Sequence, residues 1–164
     1  MYNKIFKSIT PIFFLISEYC MNNKTPYFFR LNTINLFLSS ILYHTSLEFN
    51  TKYTDYIFYY DRFSIGLLCS YRTFNNQLFA LMFALLASFN NKFKDLTYIL
   101  GFINVIFKLT NKKKIIILII ELISFYYFLK HHKRKNQEWT IIEKYIWHIT
   151  QSIYIYISSF SFFE

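Results

Sequence analysis

The chain has 164 residues, 54% of them hydrophobic and 23% aromatic, with only 16% charged, where an ordinary soluble domain carries about a quarter. Two glycines and two prolines are too few for the many tight turns of a β-sandwich or β-barrel, which leaves helices. The formal charge of +9 falls in short Lys and Arg runs between apolar stretches and not along one helical face, so no nucleic-acid partner is expected.

Apolar runs bounded by charged or turn residues predict helices near 5–20, 28–47, 54–71, 75–90, 95–109, 114–130 and 140–162. A membrane helix needs about 20 apolar residues, or about 14 to 17 where flanking aromatics and Lys extend its reach. The expectation is therefore an all-α, polytopic membrane protein, a compact bundle of about seven transmembrane helices forming one domain over 1–164. The first run contains Pro11 and follows Lys4 and Lys7; no small-residue cleavage site follows Ile16, so it reads as a helix and not as a signal peptide. The most basic stretch is Lys130, His131, His132, Lys133, Arg134 and Lys135. The positive-inside rule then puts this loop and the N-terminus in the cytosol, against the pull of Lys112 to Lys114 in the preceding loop. The expected location is an integral, multi-pass one in an intracellular endomembrane. Cys20 and Cys69 lie in or beside apolar segments and suggest packing, with no disulfide framework.

Ionisable side chains inside apolar runs are costly and mark candidate sites. Ser40 and His44 are four residues apart, one turn along one face of the second helix. Asp55 and Asp61 both fall near the start of the third helix, and His148 lies a turn or two inside the seventh. The second helix ends on the side where the third and seventh begin. Topology therefore predicts that His44, one of the two aspartates and His148 meet at similar depth. Neutral imidazoles suit zinc, a carboxylate can hold or orient a metal-bound water, and a hydroxyl can hydrogen-bond substrate, a set that fits metal-assisted hydrolysis of an ester or amide.

These residues resemble the CREST superfamily of seven-transmembrane hydrolases, which includes alkaline ceramidases, the progestin and adiponectin receptor group, and GPI-anchor lipid-remodelling proteins. The match consists of Ser40-x-x-x-His44, an Asp opening the third helix, and Trp147-His148 in the seventh. Spacing like that of ceramidases selects Asp55; spacing like that of the receptor group selects Asp61. The resemblance implies a zinc site made by Ser, Asp and three His, the last two in an H-x-x-x-H motif. Here the first His of that motif is replaced by Lys144, whose ammonium has no lone pair to donate.

Glu121, near the middle of the sixth run, is the candidate replacement ligand. If the sixth and seventh helices turn near Arg134, it lies level with His148. The rival expectation is an ion pair between Glu121 and Lys144. The resulting functional expectation is a metal-dependent, ceramidase-like hydrolase of lipid amides or esters. Its catalytic residues are Ser40 and Asp61 or Asp55, its zinc ligands His44, His148 and Glu121, and its substrate a membrane lipid such as a sphingolipid or phospholipid. The alternative is a non-enzymatic, receptor-like or scaffold protein that has lost the zinc site.

Overall fold

A computed structural model describes residues 2–133 and 140–162. The turn expected near Arg134 lies outside the described residues, and so do the side chains of His131 and His132. Eight α-helices are described: α1 Tyr2–Ile9, α2 Ile12–Tyr19, α3 Tyr27–Glu48, α4 Thr54–Phe74, α5 Gln77–Phe89, α6 Asn91–Lys108, α7 Asn111–Lys133 and α8 Ile141–Ser159. A 3-10 turn, Phe160–Phe162, follows.

The boundaries have local causes. Pro11 stands at the break between α1 and α2, and Pro26 immediately precedes α3, both positions where a missing N–H costs no helical hydrogen bond. The α4–α5 junction is two asparagines. Asn75 takes the left-handed backbone that ends α4, with φ 49°, and the Asn76 side chain accepts from the N–H groups of Leu78 and Phe79 at 2.9 and 3.2 Å. Asn90 caps α6 in the same way. Thr140 and Glu143 form a reciprocal capping box at the start of α8.

Helix α4 is the central element and packs on α3, α5 and α6, while α7 pairs with α8, and α2 bridges α3 and α8. The chain's two glycines both serve the close approach of neighbours to α4. A Cβ on Gly66 would lie 2.9 Å from Ala87 Cβ and 3.2 Å from Ala84 Cα, and one on Gly101 would lie 3.0 Å from the carbonyl oxygen of Cys69. One apolar cluster gathers Phe29, Leu36, Leu68, Tyr71 and Ile155; a second gathers Val105, Ile117, Tyr154 and Ile157. Much of the remaining interior is hydroxyl-bearing. Ser17, Thr33 and Ser158 satisfy themselves on carbonyls of their own helices, so their burial leaves no orphaned donor. Many Leu, Ile and Phe side chains of α5 and α7 face outward.

The expected membrane architecture is corrected by these helices. Among the described residues no helix is long and apolar enough to cross a membrane. Helix α5 has an unbroken apolar character but only 13 residues, about 20 Å at 1.5 Å per residue against a hydrocarbon core of about 30 Å. The longer helices are interrupted. Helix α4 carries Asp55, Asp61, Arg62 and Arg72, and α8 carries Glu143, Lys144, His148 and Gln151. The bundle of about seven transmembrane helices, the multi-pass endomembrane location and the cytosolic N-terminus that followed from it are therefore not supported. The helical segments themselves lie close to the predicted runs, with the first run divided at Pro11.

Gly66→Val is predicted to lower stability by about 1–3 kcal/mol through overpacking against α5. A urea-unfolding midpoint unchanged from that of the parent chain would show that the α4–α5 contact is looser than described.

Candidate functional site

Helix α3 presents Leu36, Ser40 and His44 at four-residue spacing, and α4 presents Asp61, Ile65, Leu68 and Arg72 at spacings of four, three and four. These two faces, with α2, α6, α7 and α8, enclose a cavity of about 520 Å³. Ser40, His44, Asp61, Glu121 and His148 all line it; its walls are otherwise largely apolar. Asp55 does not. It is exposed in the first turn of α4, where a carboxylate favours the helix N-terminus.

The centre of the site is Asp61, 9% exposed. Ser40 Oγ donates to its Oδ1 at 2.5 Å, and Ser39 Oγ lies 3.4 Å from the same oxygen. Hydroxyl donors of this kind offset part of the cost of holding a carboxylate out of water. The rings of His44 and His148 meet edge to face with centroids 5.0 Å apart, and Phe14 packs on His148 from α2 at 5.5 Å. His148 Nδ1 is bonded to the Lys144 carbonyl at 2.8 Å; an imidazole N–H there is the donor, which leaves Nε2 with the lone pair when the ring is neutral. His44 Nδ1 is buried and has no hydrogen-bond partner.

Both imidazoles are held neutral. Burial pulls His44 from 6.5 down to about 2, helped by its neighbours His148 and Lys144. Burial likewise lowers His148 to about 4; the bond to the Lys144 carbonyl opposes the shift and the Lys144 charge adds to it.

Lys144, 5% exposed, is compensated elsewhere. Its Nζ donates to Glu48 Oε1 at 2.7 Å, and Lys7 approaches the same oxygen at 3.9 Å. The ion pair considered between Lys144 and Glu121 is thus replaced by one that ties α8 to α3. Glu18, near the end of α2, is paired with Arg30 of α3 at 2.7 Å.

Glu121 sits in a different setting from the one expected. Ser124 Oγ donates to Thr150 Oγ1 at 2.8 Å and receives a bond from Gln151 Nε2 at 3.2 Å. Ser124 is therefore level with Thr150 and Gln151, which places Glu121, one turn earlier on α7, more than a turn beyond His148 along α8. Glu121 Oε2 accepts from Tyr98 OH at 2.5 Å, and Oε1 has no partner. Burial raises its pKa, against the lowering effects of the Tyr98 bond and the Arg72 charge.

The zinc expectation is corrected by this arrangement. Among the described residues no group of three or more His, Cys, Asp or Glu side chains could hold a metal ion. The imidazoles supply two donors, Lys144 occupies the place of a third, Asp61 is engaged by Ser40, and Glu121 is engaged by Tyr98 at another level of the cavity. The residues do not fit the metal centre that the resemblance implies.

Five polar lining residues are not among the candidates that the sequence marks: Arg72, Asp95, Tyr98, Ser124 and Gln151. Arg72 could have been found from Asp61 by following one face of α4, since the positions between them fall on the same side of the helix. Tyr98 gives no comparable signal in a chain with 15 tyrosines. A second groove, of about 300 Å³ between α6 and α7, shares Tyr98, Ile99 and Glu121 with the cavity. No protein-family model matches the chain, and neither the curated proteins nor the solved structures contain a match.

The neutral imidazoles have a measurable consequence. In the unfolded chain each binds a proton below about 6.5, whereas the folded chain delays this to about 4 for His148 and about 2 for His44. The unfolded state therefore binds more protons in the interval between. Their contribution to stability is complete above about pH 6.5 and is lost as the pH falls, by about 1 kcal/mol per unit for each imidazole. Urea midpoints measured from pH 7 to 4.5 should decline, and His148→Gln should remove about half of the slope. A pH-independent midpoint would place both rings in water.

Proposed function

We propose that the chain binds an acyl lipid in the 520 Å³ cavity, with an amide or ester head at the Ser40–Asp61 end, as a non-enzymatic relative of lipid amide and ester hydrolases. The carrying observation is the convergence of Ser40, Asp61, His44 and His148 on one cavity whose surface is largely apolar. Its volume falls in the range of small-molecule sites, where a few polar groups orient a largely apolar ligand. The resemblance of Ser40-x-x-x-His44, Asp61 and Trp147-His148 to the CREST pattern supports an acyl amide or ester as the ligand class, a sphingolipid or phospholipid acyl group included.

Hydrolysis is the second reading, favoured by the 2.5 Å bond between Ser40 and Asp61 beside a neutral imidazole. In that reading His148 accepts a proton from water as it attacks the carbonyl carbon, and the imidazolium returns that proton to the amine or alcohol as the C–N or C–O bond breaks. Proton-transfer strength weighs against it. A base with a pKa of about 4 lies well below the neutral range in which general bases work best. Binding therefore leads.

The test uses the purified chain and methyl dodecanoate, followed by calorimetry and by assay of released dodecanoate. Saturable binding near one ligand per chain is expected, weakened at least tenfold by Ile65→Trp, which fills the middle of the cavity. Absence of saturable binding, or binding indifferent to Ile65→Trp, contradicts the proposal. Ester cleavage abolished by Ser40→Ala would establish the second reading in place of the first.

A further inference from the structure

The cavity has a second polar end that the Ser40–Asp61 site does not use. Arg72 stands eleven residues after Asp61 on the same face of α4, about 16 Å away along the helix. The residue is 3% exposed and its guanidinium lies against the rings of Tyr154, at 4.6 Å, and Phe29, at 5.4 Å. Among the described residues no carboxylate pairs with it within 4 Å, and its Nε has no hydrogen-bond partner. A buried cation without a paired anion is costly, and aromatic faces compensate it only in part. Ile65 and Leu68 line α4 between the two ends.

Glu121, Gln151 and Asp95 also line the cavity, and the Arg72 charge acts on Glu121. The Glu121 carboxyl is tied to Tyr98 through Oε2 while Oε1 remains unpaired. Burial raises its pKa, while the Tyr98 bond and the Arg72 charge lower it. A guanidinium with no carboxylate within ion-pair distance is matched by an anionic oxygen pair, which it binds in a bidentate fork.

We propose that Arg72 forms a carboxylate subsite, so that the preferred ligand is an aliphatic chain with an ester or amide at the Ser40–Asp61 end and a carboxylate at the other. The inference rests on the acyl-binding reading of the same cavity and adds the chemistry of the ligand's far end. It makes the site selective by charge as well as by apolar fit.

Three probes of one chain length separate the possibilities in the full chain: monomethyl dodecanedioate, methyl dodecanoate and methyl 12-aminododecanoate, each titrated by calorimetry at pH 7. The carboxylate probe is expected to bind at least tenfold more tightly than methyl dodecanoate, and the amine probe more weakly than both. Arg72→Gln should collapse the preference for carboxylate while methyl dodecanoate still binds; Arg72→Lys should keep part of it. The comparison of probes on the parent chain does not depend on how well either variant folds. Equal binding of the carboxylate and neutral probes, tightest binding of the amine, or a carboxylate preference that survives Arg72→Gln overturns the subsite and leaves acyl binding standing. Absence of binding by all three probes overturns both.

Discussion

The interior of this bundle is organised by the need to keep one buried carboxylate, Asp61, supplied with hydrogen-bond donors. An unpaired carboxylate at this depth would cost several kcal/mol or take up a proton. The Ser40 hydroxyl at 2.5 Å supplies a donor from the neighbouring helix, and this bond, with those from Asn35 to Ser64 and from Tyr60 to Asn35, holds α3 against α4. With the two helices so held, His44, one turn after Ser40, faces the same interior. The cation on the other side of His148 is removed from the cavity by Glu48, which holds Lys144 at 2.7 Å. Two neutral rings can then share a wall with a carboxylate without a charged neighbour pointing between them.

Helix α4 joins the ends of the cavity because its faces have separate duties. One face lacks side-chain bulk at Gly66 and receives the small residues of α5 at van der Waals distance. Another carries Asp61, Ile65, Leu68 and Arg72 along the cavity. A rigid helix with polar groups eleven residues apart is a ruler, and the apolar side chains between them suit a chain of methylenes. The same geometry bears on the absence of a metal centre among the described residues: Asp61 and Glu121 stand at separate levels, Asp61 engaged by Ser40 and Glu121 by Tyr98.

The helical segments were legible because their punctuation is local. Pro26, the Asn75–Asn76 pair, Asn90 and the Thr140–Glu143 box act within a few residues of the ends they define. The meeting of Ser40, His44, Asp61 and His148 was legible because helix periodicity and the alternation of chain direction determine which ends lie together. Membrane crossing was misread because runs rich in Tyr and Phe were counted as apolar although charges and hydroxyls interrupt them; only an assessment of whole helices weighs both. The α7–α8 level was misread because it was measured from a turn assumed near Arg134, whereas the pairing of Ser124 with Thr150 and Gln151 sets it. The choice between Asp55 and Asp61 could not be made from spacing alone, since burial separates them and burial is a property of the packed chain. Arg72 reads as a flanking charge in the sequence because it lies one residue past the expected end of the run at 54–71.

A double-mutant cycle on Ser40→Ala and Asp61→Asn, read by urea unfolding at pH 7, tests most directly whether this hydrogen bond organises the interior. Bonds to charged groups contribute about 1.5–3 kcal/mol, so a coupling of about that size is predicted, with the double variant far less impaired than the two single changes would suggest. Additivity within about 0.5 kcal/mol, the behaviour of residues that do not touch, would contradict it.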